Sequence, residues 1–294
     1  ELGKENNDLV VMVGDIGHGI LKPFSEACPG RYYNIGILEP TMVGLGAGLS
    51  AVGLCPVIHT IAPFLIERSF EQIKLDFCYH ALPGNIVTVG SAFDYSNLGV
   101  THHCYGDFAL LKTLQNIEIC FPSSPVEFDQ LFKQSYQNNK LTIYRIAGQS
   151  HGVEFNSQDI IYGEAICVEE GTDITIVATG PQLKTALAAS KQLLSKKVKA
   201  EVIYVHTIRP LDTKLIRSSV EKTKKVLVIE EHMRSGGLGD DILRATYDIQ
   251  GLKFHSTSIP DKFVTGYGTY EQLCESCGLT PEAVINSIKN WFDG

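Results

Sequence analysis

Short apolar segments alternate with amphipathic helical segments along almost the whole chain, and this alternation restricts the fold more than any other feature. The first half has apolar runs at 9–14 and 85–90, with helical spacing of apolar residues at 64–80. The same order of segments restarts at 173–179. Because strands that alternate with helices form parallel sheets from βαβ units, we predict an α/β protein.

A polar, glycine-containing segment at 151–171 interrupts this order, and helical periodicity is lost there. We therefore predict two three-layer domains with mainly parallel sheets. The first comprises residues 1–155 and the second 172–294, with a linker at 156–171. The chain length of 294 residues agrees with two domains, since domains usually have about 100–200 residues.

Composition and charge argue against two classes of partner. The net charge is −8, and lysines cluster only at 196–197 and 222–225, where a solvated helix face explains them, so we expect no nucleic-acid binding. No apolar stretch approaches the ~20 residues that cross a bilayer, and we see no signal-peptide pattern. We therefore expect a cytoplasmic protein without a membrane partner.

Two short motifs are interpreted structurally. Cys274 and Cys277 form a lone CxxC without a second pair of ligands at suitable spacing, so we expect no metal site. The run GLGAG at 44–48 does not follow a strand. We interpret its glycines as a means of close helix packing and not as a dinucleotide-binding loop.

In parallel sheets the functional residues lie at the carboxyl ends of strands. This rule selects a set of polar positions from both halves of the chain, and we assign no catalysis to those in the second half. The selected positions are Asp15, 59–64, 91–103, Arg145, His206, Glu231 and His232.

Several segments resemble one family, and they follow one another in the same order and at comparable spacing. The segment 34–44 (NIGILEPTMVG) is followed by 59–64 (HTIAPF) and 68–73 (RSFEQI). Together with later segments they resemble the pyrimidine-binding and C-terminal domains of transketolases and deoxyxylulose-phosphate synthases. These later segments are 101–103, 116–122, 144–145, 205–212, 230–232 and 236–239.

The resemblance implies an enzyme that uses thiamine diphosphate (ThDP) and that activates its aminopyrimidine ring through Glu39. A partly desolvated carboxyl group suits proton exchange with the ring, because burial raises its pKa. On the residues alone, a helix N-terminal glutamate favoured by the helix dipole explains Glu39 equally well. Phe64 would stack on the ring, and Ile61 and Asp15 would lie beside it. A turn-forming aspartate is the alternative for Asp15.

The resemblance also implies a set of substrate contacts. His102 would bind the substrate oxygen and help to move its proton, while its neighbour His103 is turned away. Arg145 would grip the substrate phosphate, since a guanidinium suits bidentate contacts. A structural carboxylate is the alternative partner for Arg145. His59, at the end of a predicted strand, completes the predicted substrate-binding residues.

The diphosphate half of the family's cofactor site is not recognisable here, because residues 1–294 contain no Gly-Asp-Gly run. The resemblance therefore implies that a separate N-terminal subunit holds the diphosphate and Mg²⁺, and that the enzyme is active only with this partner. We expect self-association through both domains and a heterotetramer of two chains of each kind.

Three positions depart from the family pattern. Ala92, Leu98 and Gly19 stand where relatives commonly carry His, Asp and Ser, which contact the donor hydroxyls and the acceptor phosphate. We predict a transketolase-like subunit that transfers a two-carbon ketol unit between sugars, with an altered donor or acceptor. The alternatives are the β subunit of a 2-oxoacid dehydrogenase, a deoxyxylulose-phosphate-synthase-like enzyme with a 2-oxoacid donor, and a non-catalytic regulatory subunit.

Overall fold

Twelve strands form two sheets in the computed structural model, which describes residues 1–292. The strands alternate with helices, as the sequence pattern predicts. They are β1 (Leu9–Val13), β2 (Tyr32–Asn34), β3 (Cys55–Ile61), β4 (Gly84–Val89), β5 (Ile117–Cys120), β6 (Leu141–Arg145), β7 (Ile166–Glu169), β8 (Ile174–Thr179), β9 (Ala200–Val205), β10 (Thr207–Arg209), β11 (Lys225–Met233) and β12 (Lys253–Ile259).

The helices are short, and the longest in residues 1–292 have 13 residues. None of those in this part of the chain has the length and apolar character to cross a membrane. The helices are α1 (Leu2–Glu5), α2 (Lys22–Ala27), α3 (Glu39–Ala51), α4 (Phe70–Gln72), α5 (Asp107–Lys112), α6 (Pro125–Ser135), α7 (Leu183–Ser195), α8 (Thr213–Thr223), α9 (Leu238–Thr246), α10 (Tyr270–Ser276) and α11 (Pro281–Ser287).

Both sheets are mainly parallel. The seven-stranded sheet has the order β10-β5-β6-β4-β3-β1-β2, and only its edge strand β10 is antiparallel to its neighbour. The five-stranded sheet has the order β12-β11-β8-β9-β7, with β7 antiparallel at the opposite edge from β12. Helices pack on these sheets, and the apolar clusters between the layers form the core. The predicted α/β fold class is confirmed.

The packing of α3 on β3 explains a small residue at Gly46, in the middle of the GLGAG run. A side chain at Gly46 would begin 2.5 Å from Cδ1 of Ile58 on β3 and 3.1 Å from Cε of Met12 on β1. A β-carbon here would require the ends of these two side chains to shift. The glycine thus favours close packing of α3 on the sheet.

The segment predicted as one helix at 64–80 is interrupted. It consists of a π-helical turn at Pro63–Glu67, the short α4, and a second π-helical stretch at Ile73–Tyr79. The apolar face was predicted from 3.6-residue periodicity, and Ile66, Ile73 and Phe77 are indeed buried. Periodicity alone does not reveal a widened turn, because the same apolar residues face the core in either case.

The predicted linker at 156–171 is not simply a connection. Its β7 pairs with β9 and forms an edge of the second sheet. In the opposite direction, β10 lies in the second half of the chain but pairs with β5 of the first sheet. The second half of the chain therefore completes the first sheet, and the end of the predicted linker completes the second, while the predicted domain bounds stay a prediction.

A buried polar cluster also joins the two halves. Glu127 of α6 accepts hydrogen bonds from the backbone amide of Ser123 at 3.0 Å, from His151 at 2.6 Å and from the hydroxyl of Tyr204 on β9 at 2.7 Å. Burial opposes ionisation of Glu127, but His151 and the other donors hold its pKa below the usual range. The carboxylate thus bridges α6 and the second sheet.

Candidate active site

Glu39 opens α3 at the carboxyl edge of the first sheet. Its side chain is 2% exposed, and Pro40 follows it in the first helical turn. A carboxylate at this end of a helix is favoured by the helix dipole, although its burial is costly unless a partner is present. The structure supplies that partner from a different element.

Arg68 is the partner of Glu39. Its Nη1 donates a hydrogen bond to Oε2 of Glu39 at 2.9 Å, and its guanidinium carbon lies 4.5 Å from the centre of the Phe64 ring. Phe64 lies in the π-helical turn and Arg68 follows four residues later, so that both face the same side. The planar cation therefore bridges a buried carboxylate and an aromatic face.

His102 packs edge-on with Phe64. The two ring centres are 5.1 Å apart at an angle of 77°, and Nδ1 of His102 is 3.0 Å from the hydroxyl of Thr101. Within residues 1–292, Nε2 of this half-exposed ring makes no hydrogen bond. His103 is buried against Phe93, and burial lowers its pKa, which agrees with its predicted orientation away from the site.

Asp15 and Ile61 lie at the same edge of the sheet without a described contact to Glu39, Phe64 or His102 in residues 1–292. Asp15 is exposed and has a φ of +69°, and its backbone amide donates to Oδ1 of Asn34 at 3.1 Å. This geometry is that of a turn aspartate, the alternative that the sequence left open. Ile61 ends β3 next to Val89 of β4.

His59 does not lie beside Glu39, and its predicted substrate contact stays a prediction. Successive residues of a strand face opposite sides of a sheet. Ile58 packs in the cluster that contains α3, so His59 faces the other side, with Nδ1 2.9 Å from the carbonyl of Val87. There it lines a separate apolar cavity of about 590 Å³ together with Phe24 and Phe128. Burial lowers the pKa of His59.

Arg145 is fully buried, and its predicted contact with the substrate phosphate stays a prediction. Its Nε lies 3.1 Å from Oδ2 of Asp107, which is the structural carboxylate that the sequence left as the alternative. Its guanidinium carbon lies 4.6 Å from the ring centre of Phe108 and 4.4 Å from that of Phe121. Its Nη1 is buried without a hydrogen-bond partner in residues 1–292, and the side chain does not reach the surface.

Arg68 is the residue that sequence reasoning missed. It stands in the segment 68–73 that carries the family resemblance, but no periodic pattern distinguishes it from an ordinary exposed arginine. The available signal was its position four residues after Phe64, which places the two side chains on one helical face.

The three positions that depart from the family pattern offer no polar side chain. Ala92 is buried, Leu98 is exposed, and nothing lies within 4 Å of the place where a side chain at Gly19 would begin.

Cys274 is buried in α10 and Cys277 follows its end, both as free thiols. Among residues 1–292, no three His, Cys, Asp or Glu side chains are grouped so as to hold a metal ion.

Two adjacent family profiles match the chain. Residues 1–149 match the transketolase pyrimidine-binding domain, and residues 163–284 match the transketolase C-terminal domain. The chain belongs to the transketolase family. The resemblance noted in the sequence is thereby confirmed, and its two parts follow each other in the expected order.

Relatives within the transketolase family fall into two groups. The chain is 29% identical over 290 residues to an apulose-4-phosphate transketolase subunit of Phocaeicola vulgatus, covering 98% of this chain and 92% of the relative. The protein of the same name from Actinobacillus succinogenes is 32% identical over 238 residues, with 80% and 76% covered. The chain is also 31% identical to 1-deoxy-D-xylulose-5-phosphate synthase of Halothermothrix orenii, but spans only 46% of it.

A solved structure described as a split-gene transketolase in an inactive β4 tetramer shares this fold. It superposes with a TM-score of 0.88 at 28% identity, covering 98% of this chain and 93% of the other. Both halves of the chain therefore take part in the similarity.

Replacing Arg68 by Met should destabilise the fold, because the carboxylate of Glu39 loses its partner. Removing one partner of a buried pair costs about 3–5 kcal/mol, and since Arg68 is 48% exposed we expect about 1–2 kcal/mol. In a Glu39→Gln background the same change should cost less than about 0.5 kcal/mol. Urea unfolding of the four proteins measures this double-mutant cycle, and equal costs in both backgrounds would contradict the pairing.

Replacing Arg145 by Met should cost about 3–5 kcal/mol of unfolding free energy, because it leaves Asp107 buried without its cation. Urea unfolding measures the loss, and Arg244→Met, at an exposed position, is the control. A phosphate-binding Arg145 would give the opposite pattern, with unchanged stability and a raised KM for phosphorylated substrates.

Proposed function

We propose that this chain is the pyrimidine-domain subunit of a two-chain, ThDP-dependent transketolase-like enzyme that transfers a two-carbon ketol unit between sugars. The observation that carries the proposal is the nearly buried carboxylate of Glu39, joined through Arg68 to the face of Phe64. A shielded acid beside an aromatic face is what an aminopyrimidine ring requires.

The residues at this site fit the aminopyrimidine ring. Glu39 can bond to a ring nitrogen, and the half-exposed face of Phe64 can stack on a flat heterocycle. In this structure the guanidinium of Arg68 makes both kinds of contact itself, and this supports the fit of a planar, hydrogen-bonding group between the carboxylate and the ring. Ring binding would require Arg68 to turn outward, where its half-exposed side chain has room.

Glu39 and His102 would have different roles in the reaction. ThDP, when bound, supplies a carbon nucleophile at C2 of its thiazolium ring. Glu39 would hold and exchange a proton at N1′ of the pyrimidine, in a site that excludes water. His102 has its Nδ1 beside the hydroxyl of Thr101, so its Nε2 would bind and protonate the substrate oxygen. Positioned groups of this kind contribute roughly 10²–10⁴-fold each.

The diphosphate and Mg²⁺ are assigned, in this proposal, to a separate chain. Support comes from the share of each relative that this chain covers. The chain covers most of two relatives that are themselves named as transketolase subunits, but only about half of a deoxyxylulose-phosphate synthase. Exposed apolar side chains surround the start of α3, where Ile37 is 69%, Leu38 56% and Leu45 47% exposed. We infer that this surface is covered by a second copy or by the diphosphate-binding partner, in a heterotetramer of two chains of each kind.

One alternative has specific support. The similarity to deoxyxylulose-phosphate synthases extends over the whole chain, which favours a 2-oxoacid donor as the second candidate. A 2-oxoacid dehydrogenase β subunit and a regulatory subunit have weaker support, because Glu39, Phe64 and His102 form one cluster that a regulatory chain does not need.

Replacing Glu39 by Gln should lower kcat by roughly 10²–10⁴-fold, because the amide cannot exchange a proton with the ring. The measurement is turnover with ThDP and Mg²⁺ after reconstitution with the diphosphate-binding subunit. Glu71→Gln, at an exposed carboxylate on α4, is the control. Full activity of Glu39→Gln would favour a regulatory subunit, and turnover by the isolated chain would contradict the two-chain arrangement.

The loss of polar groups at Ala92, Leu98 and Gly19 should change substrate preference. We expect kcat/KM for the pair xylulose 5-phosphate and ribose 5-phosphate to fall at least about tenfold below that for the preferred pair, because buried groups that read a substrate hydroxyl discriminate strongly. Competition assays with several ketose and 2-oxoacid donors measure this, and undiminished turnover of the pentose phosphates would refute it.

A further inference from the structure

The loop that carries His102 belongs to the first domain but is also held by the second. This loop, residues 91–105, is called the His102 loop below. Its ends are joined by backbone hydrogen bonds of 2.9 and 3.1 Å between Ala92 and Cys104. Ala92 and Phe93, at its start, pack in the apolar cluster of the second sheet.

Polar contacts from β11 hold both ends of the His102 loop. The hydroxyl of Ser91 donates to Oε1 of Glu231 at 3.2 Å. At the other end, the backbone amide of Met233 donates to the carbonyl of Tyr105 at 2.7 Å. The start and the end of the loop are thus tied to one strand of the second sheet.

A second contact comes from the segment between β12 and α10, residues 260–269. The backbone amide of Val264 donates to the hydroxyl of Tyr105 at 3.3 Å. Further along the segment, Tyr267 reaches the middle of the His102 loop, since a side chain at Gly99 would begin 2.7 Å from its Cε1. The Tyr267 ring therefore packs directly on the backbone of Gly99.

Gly99 forms the turn that places His102. It has a φ of +76°, a conformation that glycine adopts without strain. Its carbonyl accepts hydrogen bonds from the backbone amides of His102 at 2.9 Å and His103 at 3.2 Å. Any displacement of this turn moves the His102 ring relative to Phe64.

We propose that Tyr267 is a positioning residue for the transferase reaction. Acting through Gly99, it holds the His102 loop so that the imidazole stays against Phe64, and the second domain thereby shapes the substrate side of the site. The role of His102 in this inference depends on the proposed function, whereas the position of the loop does not.

The contacts also define what Tyr267 should leave unchanged. Glu39 and Arg68 belong to α3 and to the segment after the π-helical turn, and their described contacts do not involve residues 260–269. The Tyr267 side chain is 74% exposed, so its truncation opens no core cavity. Loss of Tyr267 should therefore affect the substrate and not the cofactor.

The first experiment measures position without relying on activity. Hydrogen exchange of the full chain compares wild type with Tyr267→Ala, and Tyr247→Ala is the matched control, because Tyr247 is also 74% exposed in the second domain. We expect exchange at the backbone amides of His102 and His103 to accelerate on the order of tenfold in Tyr267→Ala alone. Equal exchange in the two variants would overturn the proposal.

The second experiment uses the enzyme reconstituted with its diphosphate-binding partner and the donor that gives the highest wild-type kcat/KM in the competition assays described above. For Tyr267→Ala we expect kcat/KM to fall on the order of tenfold while the Kd for ThDP changes less than about twofold. Tyr267→Phe, which keeps the ring, should restore both the rate and the slow exchange. A parallel loss of ThDP affinity and thermal stability would mean a merely structural role and would refute the proposal.

The two experiments separate this inference from the proposed function. If wild type and all variants lacked transferase activity while Tyr267→Ala still accelerated exchange at His102, the proposed function would be wrong and the positioning of the loop would stand. If the wild type were active and Tyr267→Ala matched it in rate, the positioning inference would be wrong and the proposed function would stand.

Discussion

The buried guanidinium of Arg145 is the interaction on which the arrangement of the site depends. A charge withdrawn from water needs compensating groups, and here they come from different parts of the chain, although Nη1 has no hydrogen-bond partner in residues 1–292. Asp107 belongs to α5, the carbonyl of Cys104 at 2.8 Å to the His102 loop, and the carbonyl of Glu231 at 3.3 Å to β11. The Arg145 guanidinium thus contacts the His102 loop and the second domain from the end of β6.

The same region gathers acidic side chains that burial makes difficult to ionise. Burial raises the pKa of Glu231 to about 7, although Arg145 lies nearby, and it raises that of Glu230 to about 7 as well. Glu230 accepts the backbone amides of Leu238 and Gly239 at 2.6 and 2.8 Å, so it holds the start of α9 on β11. Buried polar groups of this kind are stable near the domain border because each has a hydrogen-bond partner.

The sequence predicted the elements and the cluster of Glu39, Phe64 and His102, because local patterns and the family segments carry that information. It did not predict the surroundings of Arg145, since α5 and β11 approach β6 only through long-range packing. Strand alternation places His59 opposite to Ile58, but the sequence alone did not indicate which of the two faces α3. No periodic pattern in the sequence indicates the π-helical turn or the contact between Arg68 and Glu39.

The position of Arg68 has a consequence for how strongly the chain can hold a cofactor. Because its guanidinium already bonds to Glu39 and covers Phe64, an incoming ring gains only the difference between its own contacts and those it displaces. In exchange, the acid is neutralised before any ligand arrives. In the proposed function, Arg68 therefore acts as an internal competitor that lowers the net gain when the cofactor ring binds.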